Sequence, residues 1–182
     1  LEQNLTARSE VVISGITTVS PDITRASLSS EVDKNIPINK TKQPYRYALI
    51  IGNEDYARYQ KGLNSETNVE FARNDATIFK DYAVKTLGVD EMNAHLLIDA
   101  TTGEISQKID LISKLASKSG ELSELILYYA GHGLPDEETR TPYLIPVDVT
   151  GTNLSSAIKL EDIYKKLAES GAGRVTVFLD AC

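Results

Sequence analysis

Four short apolar segments alternate with segments of helical periodicity after Tyr45, and this alternation limits the possible folds more than any other feature of the chain. The apolar segments are YRYALIIG (45–52), AHLLID (94–99), ELILYYAG (124–131) and RVTVFLDAC (174–182). Short, nearly continuous apolar runs are typical of strands that are buried on both faces. The alternation predicts an α/β fold: a mainly parallel sheet with right-handed crossovers and helices on both faces.

Three segments between these strands have the periodicity and the end signals of helices. They are residues 68–88, the segment from Thr101 to Gly120, and residues 159–171. The second begins with a capping-box sequence, Thr101 with Glu104, in which each side chain accepts a hydrogen bond from the backbone N–H of the other residue. Gly88 and Gly120 are typical of helix ends. A short extended segment is expected at 143–149.

Residues 1–44 differ from the rest of the chain in composition. They are rich in Ser, Thr, Asn and Lys, contain three prolines and show no helical periodicity. The segment EVVISGITTVS (10–20) predicts a strand or hairpin packed on the edge of the domain, and NKTKQP (39–44) predicts an exposed linker. We interpret 1–44 as a partly ordered leader or a pro-segment, and 45–182 as one folded domain.

Charge and residue counts exclude several classes of protein. The net charge of −7 argues against a sequence-independent nucleic-acid-binding protein, which needs a basic surface. No apolar segment approaches the ~20 residues that span a bilayer. One cysteine excludes an internal disulfide and a cysteine-based structural zinc site. Because the chain has only two histidines and one cysteine as soft metal ligands, we expect no metal and no cofactor. A calcium site built from carboxylates remains an alternative. The sequence indicates no compartment.

One histidine and the single cysteine follow the ends of two predicted strands. His132 follows the third strand in YYAGHG (128–133), and Cys182 ends the fourth in VFLDAC (177–182). In open parallel sheets, functional residues gather at the carboxyl ends of the strands, and adjacent strands are about 5 Å apart. We therefore expect the two side chains to meet.

A histidine beside a cysteine is the arrangement that a cysteine peptidase needs. The histidine holds the thiol proton and later protonates the leaving amine. Backbone N–H groups must also face the developing oxyanion. The glycines that flank His132 let a substrate carbonyl approach the backbone closely. The N–H groups of Gly133 and Cys182 are the expected oxyanion donors.

Five motifs together resemble one known family. His132 and Cys182 are 50 residues apart, which is about the spacing of the caspase signature. The motifs are YALIIGNEDY, ARNDA, LILYYAGHG, YLIPVD and VFLDAC, in this order along the chain. Residues 45–182 thus resemble the large-subunit portion of a caspase-like cysteine peptidase, closer to the bacterial and metacaspase branch than to animal caspases. The resemblance implies the three-layer caspase-hemoglobinase-like fold.

The same resemblance implies roles for five residues. His132 is implied as the general base and acid, Cys182 as the nucleophile, and Gly133 as a part of the oxyanion hole. Asp75 and Asp180 match the two carboxylates of the acidic S1 pocket of metacaspases. The reaction implied is endopeptidase hydrolysis of a peptide or protein substrate.

The acidic pocket implies Arg or Lys at P1, because a carboxylate pair prefers a cation. Animal caspases read Asp at P1 with an arginine, and the corresponding position here is Val69. The serine that metacaspases often carry two residues before the histidine is Ala130 here, so that polar contact is missing.

The resemblance also implies a partner and a form of maturation. The domain of this family continues beyond the cysteine with at least two more strands, so we expect a small subunit from the same precursor to complete the sheet. The exposed basic residues Lys40, Lys42 and Arg140 are candidate sites of self-cleavage. Cleavage in the linker would release the leader.

Two other functions fit parts of the sequence. A catalytically silent caspase-like scaffold or regulatory binding protein would keep the fold without the reaction. A flavodoxin-type nucleotide-binding or receiver domain fits the strand alternation, but GHGLPD is not a phosphate-binding glycine loop. His95 precedes an apolar strand with no predicted partner, and we interpret it as structural.

Overall fold

The computed structural model describes residues 31–181. Cys182 and the strand or hairpin predicted over 10–20 lie outside the described residues. The helices are α1 (Glu31–Lys34), α2 (Tyr56–Tyr59), α3 (Ala72–Lys85), α4 (Thr102–Ser119) and α5 (Leu160–Ala168). The strands are β1 (Arg46–Gly52), β2 (Ala94–Ile98), β3 (Glu124–Gly131), β4 (Gly133–Pro135), β5 (Pro142–Leu144), β6 (Ile158–Lys159) and β7 (Arg174–Ala181).

The four predicted strands form one parallel sheet in the order β2-β1-β3-β7. β1 pairs with β2 on one side and with β3 on the other. β3 pairs in turn with β7, and Gly131 lies opposite Ala181 in their register. The predicted mainly parallel α/β sheet is therefore confirmed. A separate small sheet follows His132 and consists of β4, β5 and β6 in antiparallel order.

Helices cover both faces of the parallel sheet, as predicted. On one face, Ala76 and Ala83 of α3 share a buried cluster with Ala48 and Ile50 of β1. The other face meets α4 and α5 through the alternate residues of β1 and β3, because successive side chains of a strand point to opposite faces. This cluster includes Leu49, Ile51, Leu125, Leu127, Tyr129, Ile105, Ile109, Ile112, Ile163 and Leu167. Within residues 31–181, no helix combines the length and apolar character needed to cross a bilayer.

The ends of the helices follow local backbone signals. The capping box of Thr101 and Glu104 is present at the start of α4, as predicted. The helix predicted over 68–88 is shorter, Ala72–Lys85, because Phe71 before it and Gly88 after it both have a φ of +74°. Left-handed backbone at a residue ends a right-handed helix there.

The segment predicted as extended over 143–149 forms a strand only at its start, in β5. The hairpin of β4 and β5 was not predicted, because strands of three residues are too short to give a periodic signal. Ile145, Val147 and Val149 instead form a buried cluster with Tyr56. Tyr56 links this cluster to His132, because its hydroxyl accepts a hydrogen bond from the His132 N–H.

β7 is the edge strand of the described sheet, and its apolar residues are poorly covered. Phe178 and Leu179 are 42% and 41% exposed, although they point to opposite faces. The central strand β1 has a similar apolar sequence and is almost completely buried. The described residues thus leave one long edge of the sheet uncovered.

The segment before β1 is held along the end of α3. The backbone N–H of Asn39 donates to the last turn of α3 at 2.7 Å, and that of Gln43 donates to the Gly88 carbonyl at 2.8 Å. Lys40 and Lys42 between them are exposed. The predicted linker is therefore exposed in its side chains but fixed at two points of its backbone.

Candidate active site

The candidate site lies at the carboxyl ends of the parallel strands. His132 follows directly after β3, whose last residue, Gly131, pairs with Ala181 at the end of β7. Cys182 is the next residue in the sequence and lies outside the described residues. The strand register therefore brings His132 to the strand end that precedes the cysteine.

Two buried tyrosines hold the backbone of His132. The His132 N–H donates to the Tyr56 hydroxyl at 2.9 Å, and the Tyr129 hydroxyl donates to the His132 carbonyl at 2.9 Å. Both hydroxyls also reach the Ile145 carbonyl, at 2.8 Å from Tyr56 and 3.0 Å from Tyr129. Burial raises the pKa of both phenols, so they stay protonated and act as neutral hydrogen-bonding groups at physiological pH.

Gly131 is the residue that lets the two tyrosines approach. A Cβ at this position would lie 2.9 Å from the Tyr129 hydroxyl oxygen and 3.0 Å from that of Tyr56. Its φ of +155° is also one that residues with a side chain rarely adopt. Any larger residue would displace the hydroxyls that fix His132.

The imidazole of His132 is fixed by contacts on its ring. Nε2 lies 2.7 Å from the carbonyl oxygen of Thr67, and the ring packs against that of Tyr56 at a centroid distance of 4.6 Å. A carbonyl can only accept, so the neutral imidazole carries its proton on Nε2 in this contact. Nδ1 is then the unprotonated nitrogen, which is the form that a general base requires.

Asp75 and Asp180 lie close enough to repel each other. Asp75 is in the first turn of α3, which begins against the end of β1 because a Cβ on Gly52 would lie only 2.4 Å from the Ala72 carbonyl oxygen. Partial burial raises the pKa of Asp75, and the negative charge of Asp180 raises it further. Asp75 therefore lies within electrostatic range of Asp180, which is in β7.

Tyr128 completes the surroundings of these two carboxylates. Burial, followed by the charges of Asp180 and Asp75, raises the pKa of Tyr128 to about 12. Its ring stacks on Phe79 at a centroid distance of 4.2 Å, and Phe79 also contacts Phe178 at 5.1 Å. A cluster of three aromatic rings therefore lies within electrostatic range of the two carboxylates.

Arg73, two residues before Asp75, is already paired with other carboxylates. Arg73 forms ion pairs with Asp99 and Asp55, and its backbone N–H donates to Glu54 at 3.2 Å. Burial alone would raise the pKa of Asp99, but the Arg73 guanidinium and two backbone N–H donors outweigh it, and the pKa of Asp99 is lowered. Val69 packs against the apolar cluster around Tyr56.

His95 lies away from this edge, as the second residue of β2. It pairs with Leu49 across the ladder, and its buried Nε2 has no hydrogen-bond partner among the described residues. Burial, followed by the charge of Lys108, lowers the pKa of His95. A neutral histidine in an apolar setting agrees with the structural interpretation of this residue.

Sequence reasoning missed Thr67, Tyr56 and the role of Tyr129. Thr67 contributes a backbone carbonyl, and a backbone group leaves no signature in the residue type. Tyr56 follows an apolar segment and Tyr129 lies within one, so both resemble ordinary core residues. Their hydroxyls contact groups 76 and 16 residues away in the chain, which the local sequence does not indicate.

The model of the caspase domain, Peptidase C14, matches residues 45–182. A search of the curated proteins finds no match to the chain. The matched range begins one residue before β1 and includes His132, Asp75, Asp180 and Cys182. It thus contains every element from β1 to β7 that builds the site.

Proposed function

The chain belongs to the caspase domain family, and from that premise we propose that it is a cysteine endopeptidase with a dyad of His132 and Cys182. The observation that carries the proposal is the pairing of Gly131 with Ala181. This pairing makes the histidine and the cysteine the next residues after two adjacent strand ends.

In the proposed reaction, His132 first acts as the base. The contact of its Nε2 with the Thr67 carbonyl, at 2.7 Å, supports Nδ1 as the atom that takes the proton of the Cys182 thiol. The thiolate attacks the carbonyl carbon of the scissile peptide bond, and the imidazolium protonates the leaving amine. Water, deprotonated by the same imidazole, then hydrolyses the thioester and restores the thiol.

Gly133 and Cys182 donate their backbone N–H groups to the oxyanion in this proposal. A Cβ on Gly133 would lie 3.2 Å from the Cβ of Ala181, so its backbone is close to the residue that precedes the nucleophile. Fixed donors stabilise the charge that develops in the transition state. The proposed reaction uses no metal and no organic cofactor.

Asp75 and Asp180 form the proposed S1 pocket, with a preference for Arg or Lys at P1. Burial and the charge of Asp180 raise the pKa of Asp75, and a cationic side chain bound beside Asp75 would offset that cost of its ionisation. Arg73 is already paired with Asp99 and Asp55 and offers no free cation for an acidic P1 residue. This pocket agrees better with the metacaspase branch than with animal caspases.

We further propose that a second polypeptide segment, such as a small subunit from the same precursor, covers β7. The support is the open edge of β7 within the described sheet and the exposure of Phe178 and Leu179, 42% and 41%. Exposed apolar edge strands invite pairing with another strand. The same segment would form the far wall of the S1 pocket.

Self-processing at the linker before the catalytic domain, which we place at 45–182, is a part of the proposal. Lys40 and Lys42 are exposed, but the backbone on either side is hydrogen-bonded near the end of α3. A peptidase binds its substrate in an extended form, so these hydrogen bonds must open first. Arg140 is a second exposed basic residue, in the loop between β4 and β5.

The test is the cleavage of a fluorogenic peptide panel that differs only at P1, by the chain together with the segment that covers β7. We expect turnover of Arg and Lys peptides and none with Cys182→Ala. Preference for Asp at P1 would keep the peptidase and contradict the S1 assignment. No turnover of any peptide would contradict the catalytic proposal and favour the scaffold.

A further inference from the structure

The carbonyl that meets His132 belongs to a loop, so its position depends on what holds that loop. Thr67 ends a single 3-10 turn, Ser65–Thr67, in which every residue but Thr67 is exposed. A turn of three residues has little stability of its own. Something outside the turn must therefore fix the Thr67 carbonyl within 2.7 Å of the imidazole Nε2.

The side chain of Asn68 contributes to this fixation, together with the backbone N–H of Val69, which donates to the Glu54 carbonyl at 3.1 Å. The Oδ1 of Asn68 accepts from the backbone N–H of Ala57 at 3.0 Å, and its Nδ2 donates to Oδ1 of Asp55 at 3.3 Å. Both ends of the amide thus bind the start of α2. We name Asn68, Asp55 and the Ala57 N–H the Asn68 clamp.

The Asn68 clamp is itself attached to the parallel sheet. The backbone N–H of Asp55 donates to Oδ1 of Asp99 at 3.0 Å, and Arg73 bridges the carboxylates of Asp55 and Asp99. Asp99 directly follows β2 and is almost completely buried. A continuous set of contacts therefore leads from the end of β2 to the Thr67 carbonyl.

We propose that Asn68 is a positioning residue for the imidazole of His132. By fixing the turn next to Thr67, it keeps the carbonyl on Nε2, and this contact keeps the ring oriented with Nδ1 unprotonated. Its contribution to catalysis rests on the proposed function, but its effect on the imidazole does not.

The effect on the imidazole is measured by NMR on the full chain. A hydrogen bond to a carbonyl slows the exchange of an imidazole N–H with water, so the Nε2 proton of His132 should give a separate low-field resonance. The chain has two histidines, and within residues 31–181 the buried Nε2 of His95 has no hydrogen-bond partner. Spectra of His95→Gln and His132→Gln therefore assign the resonance.

Asn68→Ala is the main variant, and we expect the resonance to disappear from it. Asn153→Ala is the matched control, because Asn153 also fixes a single 3-10 turn, through the N–H of Ser155 at 3.1 Å, and we expect it to keep the resonance. Asp55→Asn retains an amide oxygen as the acceptor for Asn68 Nδ2, and we expect this variant to keep the resonance too. Asn68→Asp keeps an acceptor for the Ala57 N–H but replaces the donor to Asp55 with a second negative charge. It should also lose the resonance, and it gives a second test if Asn68→Ala does not fold.

The resonance persisting unchanged in folded Asn68→Ala or Asn68→Asp would overturn the proposal. Its loss from Asn153→Ala as well would also overturn it, because general loosening would then explain the effect. In peptide cleavage, we expect kcat of Asn68→Ala to fall about 10-fold to 100-fold with KM unchanged. If no variant cleaves peptides but the resonance behaves as described, the proposed function fails and the positioning role stands.

Discussion

The two ends of the parallel sheet carry charges in different arrangements. At the amino ends, Arg46, Glu124 and Arg174 lie side by side on β1, β3 and β7 and alternate in sign. Arg46 pairs with Glu124, and Arg174 reaches the same carboxylate at 3.8 Å. Near the carboxyl ends, the negative charge of Asp180 instead raises the pKa of the like-charged Asp75 of α3.

This difference leads us to expect different effects of substitutions at the two ends of the sheet. At the amino ends, opposite charges pair with one another within the folded chain. Two carboxylates that repel each other cost free energy that a bound cation recovers. We infer that substitutions at the amino ends change the free energy of unfolding, whereas substitutions of Asp75 and Asp180 change substrate binding.

The largest expected effect is on activity. The double substitution Asp75→Asn and Asp180→Asn should lower kcat/KM for Arg peptides about 100-fold or more, because the cation of the substrate loses both of its proposed carboxylate partners. The free energy of unfolding should not fall. Glu137→Gln, in an exposed loop, removes a charge without effect and serves as the control. An unchanged kcat/KM in the double variant would refute the pocket.

Next in size is the loss of stability from Asp99→Asn. Asn tolerates the positive φ of +50° at this position, so the substitution removes the charge without new backbone strain. Leaving Arg73 without its buried partner should cost about 2–4 kcal/mol in urea unfolding at neutral pH. Asp81→Asn breaks an exposed pair with Lys85 and should cost under about 0.5 kcal/mol. Equal losses in the two variants would contradict this account.

The pH dependence of that loss follows from the lowered pKa of Asp99. A carboxyl with a lower pKa in the folded chain stabilises it above the pKa of the unfolded chain, and this contribution disappears as the pH falls through the folded value. The difference between the wild-type chain and Asp99→Asn should therefore shrink in acid. A constant difference down to the lowest pH of the folded range would be inconsistent with an ion pair.

Glu124→Gln tests the contribution of the paired charges at the amino ends of the strands to stability. The carboxylate is partly buried between two arginines, so its removal should cost about 1–2 kcal/mol of unfolding free energy. The neighbouring Glu121 is exposed, and Glu121→Gln should cost almost nothing. Peptide cleavage per folded molecule should stay the same in both variants, and a fall in kcat for Glu124→Gln would break the separation between the two ends.

The smallest effect is a gain of stability from Asp75→Asn alone. The pKa of Asp75 is raised in the folded chain, so its ionisation destabilises the fold at pH values above that raised pKa. Below the pKa of the unfolded chain, the carboxyl is protonated in both states and the cost is absent. Tm of Asp75→Asn should slightly exceed that of the wild type at neutral pH, and the gap should close in acid. A lower Tm at neutral pH would show that Asp75 stabilises the fold instead.

The sequence was sufficient for the sheet because buried parallel strands have a local signal. The apolar runs 45–52, 94–99, 124–131 and 174–182 correspond to β1, β2, β3 and β7. The capping box at Thr101 was equally readable. These features depend on residues that are close in the sequence, so the pattern of apolar and capping residues is enough to predict them.

The contacts around His132 could not be read in this way. The Thr67 carbonyl comes from 65 residues earlier in the chain, and the Asn68 clamp joins two loops with no periodicity. The shortened start of α3 depends on the positive φ of Phe71, which no common rule assigns to phenylalanine. The geometry of these loops depends on contacts between residues far apart in the sequence, so the local sequence does not predict it.

The central claim is that His132 activates Cys182, and the rate of thiol alkylation tests it most directly. The chain has one cysteine and two histidines, so the labelled site is unambiguous and His95→Gln is a matched control for His132→Gln. We expect iodoacetamide to label the wild type and His95→Gln rapidly at pH 7, and His132→Gln at least about 10-fold more slowly. Equal rates in all three proteins would contradict the dyad.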